Sequence, residues 1–303
     1  MSTSDLALVL VSALLHALWS LAIKGSSSPL GFNVLQLVPT AIAACALPWL
    51  VPLGELPVSI WALAAGTGVA HGLYFYWLSR ALAAGELSVV YPIARSAPAF
   101  LPLVAVPLLG EPVSALGALG IAVVVAGMWA VQLDAAGSAG AAGGAAPHLR
   151  RLLVAPGAGW AWLTLAASVG YSLTDKLAMA RLGALPWDGA VPPAVAWYVI
   201  LCSSGMLVFT PLALRHVPLR ALAAQARREG RTALLAALVG FAGYGLILHA
   251  LRTAPVSYVV AVRQASVLFA VALGALRLRE RPTRLRLAGA LATVVGVALV
   301  AVS

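Results

Sequence analysis

Arg95, Lys176 and Arg263 stand well inside long apolar runs, and each demands a chemical reason for being there. A charge near the centre of a bilayer costs about 2.5 to 3.5 kcal/mol on insertion scales. Of the nine acidic residues, only Asp175 falls well inside such a run, so three buried cations face one carboxylate and two positive charges are left over. Either backbone carbonyls and water satisfy them, or an anionic group on a bound molecule does, since an arginine offers a planar fork that matches a carboxylate or phosphate. Lys176 is next to Asp175 in sequence. Adjacent residues on a helix do not face each other, so each needs some other partner. Lys24 ends its run, where a long stem snorkels to the interface.

Polar and aromatic residues accompany these charges. His71 lies in the middle of the third apolar run, just before Gly72, Tyr74, Tyr76 and Trp77. It is either a hydrogen-bonded structural residue or a cavity residue whose imidazole can carry a proton. Gln264 and Ser266 add polar groups beside Arg263. Trp19, Tyr91, Tyr171, Tyr244 and Tyr258 are candidates for cavity walls, although aromatic residues also anchor spans at the membrane surface. The other histidines show no metal-ligand spacing, and Cys45 and Cys202 lie apart in apolar segments without a CxxC pattern. No metal, disulfide or other cofactor is expected. The chain has no GxxxxGK[ST] phosphate loop, so ATP is not expected to act on it directly.

The elements that must position these residues follow from composition. The 303 residues are 62% hydrophobic and only 9% charged, against about 25% charged in soluble domains. A hydrocarbon core takes roughly 20 apolar residues per spanning helix. Apolar runs punctuated by Pro, Gly and charge predict ten spans, at 5–24, 31–52, 59–82, 87–109, 113–133, 157–182, 193–214, 231–252, 255–277 and 284–302. These spans take up nearly the whole chain, so function must sit among the helices. The fold class is all-α and integral to the membrane, as a multi-pass protein, and lipid surrounds it. The first span is preceded only by Met-Ser-Thr-Ser-Asp; lacking a basic n-region, it is expected to remain as a membrane helix. Pro92, Pro98, Pro102 and Pro107 fall in the fourth span, and each removes a backbone donor and frees a carbonyl. That span is predicted to be kinked and to face a cavity. The ninth span has no proline at the matching places, so the two halves need not move alike.

A net charge of +10 could suggest nucleic acid, but the basic residues sit mostly in short loops rather than on a water-facing stripe. No nucleic-acid partner is expected. Loops after the odd-numbered spans hold fourteen Lys and Arg, and the opposite face holds Arg181 and Arg252. The bias places those loops in the cytoplasm, both termini outside it, and the protein in the inner (cytoplasmic) membrane. The segment from Arg215 to Arg231 reads as a solvated basic loop or a short amphipathic stretch lying on the membrane surface.

The segment 134–156 is rich in Gly, Ala and Ser and reads as a linker. It divides the chain into 1–133 and 157–303, five predicted spans each. Leu82, Ser88, Glu111, Gly120 and Gly127 recur 169 positions on as Leu251, Ser257, Glu280, Gly289 and Gly296. Because five is odd, the halves enter the membrane in opposite directions as inverted repeats, an arrangement that places a site near the midplane. Arg95 and Arg263 lie at similar depth in the fourth and ninth spans, as near-symmetric partners. The spaced glycines put small faces on the fifth and tenth spans for close packing. A monomer is expected, because two fused repeats already supply a pseudo-dimer.

The chain resembles the drug/metabolite transporters built from two EamA-type repeats. The resemblance rests on His16-Ala-Leu-Trp19 to Lys24, on Glu86-Leu-Ser88-Val-Val-Tyr91-Pro92-Ile-Ala-Arg95, and on Leu109-Gly110-Glu111-Pro112. The second half matches more loosely, through Tyr171 to Lys176, Ala254-Pro255-Val256-Ser257 and Arg279-Glu280-Arg281-Pro282. It implies two helical bundles around a central cavity, alternating access, and small metabolites such as amino acids as substrate. Joined to the buried positive charge, it leads to a secondary transporter of a small anionic or zwitterionic molecule. The expected binding residues are Arg95, Arg263, Trp19, His71, Tyr91, Tyr171, Lys176, Tyr244 and Gln264. A proton-coupled exporter of cationic drugs is the first alternative. A lipid-modifying membrane enzyme is the second; it would need a catalytic cluster that these residues do not assemble.

Overall fold

A computed structural model describes residues 1–85, 87–137, 155–277 and 283–303, and among them the regular elements are helical. In the first half these are α1 (Thr3–Lys24), α2 (Pro29–Leu50), α3 (Val58–Ala84), α4 (Leu87–Ala94), α5 (Ala97–Leu109) and α6 (Ala115–Gly137). In the second they are α7 (Ala158–Ala184), α8 (Pro193–Leu214), α9 (Leu219–Ala250), α10 (Val256–Arg263), α11 (Ser266–Arg277) and α12 (Arg284–Ala301). Serines cap the first two starts, Ser2 accepting from Asp5 N and Ser28 from Gly31 N. Gly110 ends α5 at φ +64°, the left-handed cap that only glycine adopts without strain.

Among the described residues eight stretches are long and apolar enough to cross a membrane, with Val89–Leu109 counted as one across α4 and α5. Two further crossings complete the ten. α7 has the length, at 27 residues, but the polar groups of the site lower its hydropathy. α10 and α11 share the remaining one, which includes the apolar stretch Val256–Phe269. The outer surface carries large apolar side chains such as Ile42 (69% exposed), Leu103 (70%) and Leu207 (75%). Exposure of that kind around a helical bundle suits contact with lipid tails.

The halves are related by a two-fold pattern of packing. α3 packs on α7 as α9 packs on α1, α3 on α8 as α9 on α2, and α4 on α7 as α10 on α1. α6 lies against α12 along the glycine faces, where Gly120 meets Gly296 and Gly127 meets Gly289 so closely that a Cβ would strike backbone. With five crossings per half, the repeats run in opposite directions through the membrane.

Two expectations need correction. α9 is 32 residues long and begins at Leu219, so most of the supposed loop or surface stretch is its first turns. Gln225 on those turns donates to Ser28 O at 3.1 Å, and Glu229 accepts from Ser27 N at 3.0 Å, which ties the extension to the start of α2. α6 continues to Gly137, into the segment read as linker. Residues 138–154 of that segment, and Glu280 with its neighbours 278–282, lie outside the described residues.

Candidate functional site

The crossing made by α4 and α5 breaks at Arg95 and Ser96, and the one made by α10 and α11 breaks at Gln264 and Ala265. The segment bounds of one repeat are those of the other shifted by 169 positions, 87 to 256, 94 to 263 and 97 to 266. In the first break Pro98 opens α5, while Ser96 donates to Pro92 O and accepts from Trp129 Nε1 at 2.9 Å. The second break forms without proline. Gln264, Ala265, Val267 and Leu268 each donate to the carbonyl three residues back, a tighter turn than the α-helix. Both crossings are therefore broken at equivalent places, one with prolines and one without. Arg95 and Arg263 are also not strict counterparts. At the 169-residue shift Arg95 corresponds to Gln264 and Arg263 to Ala94, so the arginines stand on either side of the same helix ending.

Both breaks open onto one cavity of about 160 Å³, lined by residues of both repeats. A water molecule needs about 10 to 15 Å³ of such space, so the cavity has room for a cluster of waters or one small molecule. Its walls include Arg95 and Arg263 together, in the same conformation. The Arg95 guanidinium stands over the Tyr91 ring at 5.5 Å, and that of Arg263 over Tyr244 at 5.1 Å. Arg263 Nη2 lies 3.4 Å from His16 Nδ1, while its Nε is buried without a hydrogen-bond partner among the described residues. Among those residues no carboxylate stands within 4 Å of either guanidinium. Aromatic rings complete the chamber, with Trp19 stacked on His16 at 5.3 Å and held by its Nε1 donating to Gln36 Oε1 at 2.6 Å.

Behind one wall, Asp175 is fully buried and accepts several hydrogen bonds. Thr67 Oγ1 donates at 2.7 Å and Trp197 Nε1 at 3.0 Å to its Oδ1, and Tyr244 OH donates at 2.6 Å to its Oδ2. His71 Nε2 lies 3.2 Å from Oδ2. Both oxygens of Asp175 are therefore engaged as acceptors. Thr67 and His71 are one turn apart on α3, on one face. The His71 ring stacks on Tyr171 at 4.0 Å and meets Tyr244 edge-on at 5.6 Å. Tyr244 thus touches both charge systems, with its hydroxyl on Asp175 and its ring beneath Arg263.

Lys176 is placed elsewhere. Its Nζ donates to Leu251 O and Ala254 O, each at 2.8 Å, satisfying carbonyls at the turn after α9. The same turn receives Glu111 from the other repeat, whose carboxylate accepts from Val256 N, Ser257 N and Ser257 Oγ. A carboxylate at a helix N-terminus meets free N–H groups and the positive end of the dipole. Thr253 Oγ1 lies 3.2 Å from both oxygens of Asp5, and Tyr258 OH accepts from Ser114 N at 3.0 Å. These contacts pin α1, α5, α6 and α7 to one turn, beside a separate hollow of about 410 Å³.

Of the expected binding residues, Arg95, Arg263, Trp19, His71, Tyr171, Tyr244 and Gln264 line the cavity. Tyr91 reaches it only through the Arg95 guanidinium. Lys176 does not line it, because the carbonyls after α9 hold its ammonium, and Tyr258 is drawn to Ser114. The sequence reading did not include Tyr74, Tyr198 or His16 among the wall residues. It recognised Asp175 as the buried acid without its partners Thr67 and Trp197. The i, i+4 spacing of Thr67 with His71 was the available sign for the first of these.

The model of the EamA-like transporter family matches residues 3–133 and again 158–302. The chain belongs to that family and is a multi-pass membrane transporter of the drug/metabolite type. No match was found among curated proteins. It is similar to a solved structure titled "Crystal structure of protein", with 17% identity and a TM-score of 0.68, covering all of this chain and 99% of the other. That likeness concerns the fold.

Proposed function

We propose that the chain is a secondary transporter moving a small anionic or zwitterionic, amino-acid-like molecule across the cytoplasmic membrane by alternating access, as a monomer. The observation that carries this reading is the pair Arg95 and Arg263, two guanidiniums in one small cavity with no carboxylate beside either among the described residues. Two forks donate to the oxygens of a carboxylate, and the faces of Tyr171, Tyr74 and Trp19 suit an ammonium group on the same molecule. Export of cationic drugs is disfavoured, since the acid such a cation would need, Asp175, is enclosed and already engaged on both oxygens.

Thermal unfolding of the full chain in detergent, with L-glutamate, pyruvate, glycine or tetraethylammonium, tests the charge preference. The anions, and more weakly glycine, are expected to raise the melting temperature, and tetraethylammonium to leave it unchanged. Stabilisation by tetraethylammonium with none by the anions would reverse the assignment.

A further inference from the structure

We infer that His71, paired with Asp175, is a proton-binding site coupled to the guanidinium site, so that an anion crosses together with a proton. The inference rests on the anion reading above. A neutral imidazole has one N–H and one acceptor nitrogen. With Nε2 3.2 Å from Asp175, the N–H points at the carboxylate. Nδ1 then remains as the acceptor, on a ring that forms part of the cavity wall, and no hydrogen bond to Nδ1 is present among the described residues. A proton arriving from cavity water is taken by Nδ1. The resulting imidazolium lies beside the carboxylate that accepts from Thr67, Trp197 and Tyr244, so Asp175 acts as counter-charge.

The surroundings leave His71 as the open proton acceptor of the chamber. On α7 the ring faces Tyr171 besides Asp175, on α9 Tyr244, and on its own helix Tyr74 is one turn away. α8 contributes Tyr198 and Cys202 to the same chamber. Phenols and thiols ordinarily titrate near about 10 and 8.5, above the range in which imidazole changes charge. Across the cavity, His16 already has its Nδ1 3.4 Å from the Arg263 guanidinium, an interaction that uses the lone pair a proton would need. Lys176 points away, its ammonium held by carbonyls. The remaining cations are Arg95, stacked on Tyr91 of α4, and Arg263, and both oppose a further positive charge on His71. An anion seated on the guanidiniums removes that opposition. Anion and proton then each strengthen the binding of the other by the same factor.

The test uses the full chain in detergent with isotope-labelled histidine, and NMR titration between about pH 5 and 8, without anion and with L-glutamate or pyruvate. One histidine signal, missing from His71→Gln, is expected to titrate, and its midpoint to rise by about 1 to 2 pH units with the anion, roughly a 10- to 100-fold coupling and within the 5- to 150-fold range common between sites. That rise should vanish in Arg95→Gln. A second measurement needs no variant: adding the anion to unbuffered protein near neutrality should draw protons from solution, read by an indicator dye. A His71 that keeps one charge throughout the range, or an anion that binds without proton uptake, overturns the inference. If His71 titrates while neither anion binds at any pH, the anion reading falls and the proton site stands alone.

Discussion

Asp175 is wholly enclosed, yet everything around it donates: a hydroxyl, an indole and a phenol, with an imidazole 3.2 Å away. An amide at this position would turn an N–H toward at least one of these donors and leave it unsatisfied. Asp175→Asn is therefore expected to cost about 3 kcal/mol or more, as the breaking of buried charged interactions generally does. Melting of the full chain in detergent checks this; a wild-type melting temperature would mean that the carboxylate does not hold the cluster. The isolated acid was legible in the sequence because it interrupts an apolar run. Its partners were not, since Thr67, Tyr244 and Trp197 lie 108, 69 and 22 positions away and are joined only by helix packing. Lys176 shows the reverse: a buried cation looked like part of a binding site, and the free carbonyls of a turn in another helix were invisible.

At the level of elements, the site depends on two crossings that stop partway and restart. Prolines announced the first break. The second is a run of tight turns from Ala261 to Leu268 whose residues carry no special signal, and only the 169-residue repeat could have pointed to it. The repeats are held together by glycines that the sequence did display. A Cβ at Gly127 would meet the Gly289 carbonyl and the Thr293 backbone, which cannot swing aside. Gly127→Ala is expected to destabilise by about 1 to 3 kcal/mol through overpacking, lowering the melting temperature in detergent. Gly230, with open space around it, should accept alanine without that loss, and equal effects at both positions would dissociate the α6 and α12 contact from stability.

For the whole molecule, two five-crossing repeats place the break of each interrupted crossing at one shared cavity. The sequence made the repeat and the ten crossings readable through apolar runs and recurrent residues. It could not show that both arginines would share one cavity, because that depends on how the two bundles meet. Charge distribution adds a topological prediction. With fourteen basic residues on one side and two on the other, the C-terminus should lie outside the cytoplasm. A reporter active only in the cytoplasm, fused after Ser303, should stay silent; strong activity would invert the topology. The central claim is that Arg95 and Arg263 hold the transported anion. Losing one guanidinium fork against a carboxylate costs about 1.5 to 3 kcal/mol of binding, and Arg95→Lys, which keeps charge without the fork, should also weaken it. The direct measurement is uptake of labelled L-glutamate and pyruvate per folded molecule in proteoliposomes. Arg95→Gln and Arg263→Gln are each predicted to lose most of it while remaining folded and inserted, and near-normal specific uptake by both would contradict the account.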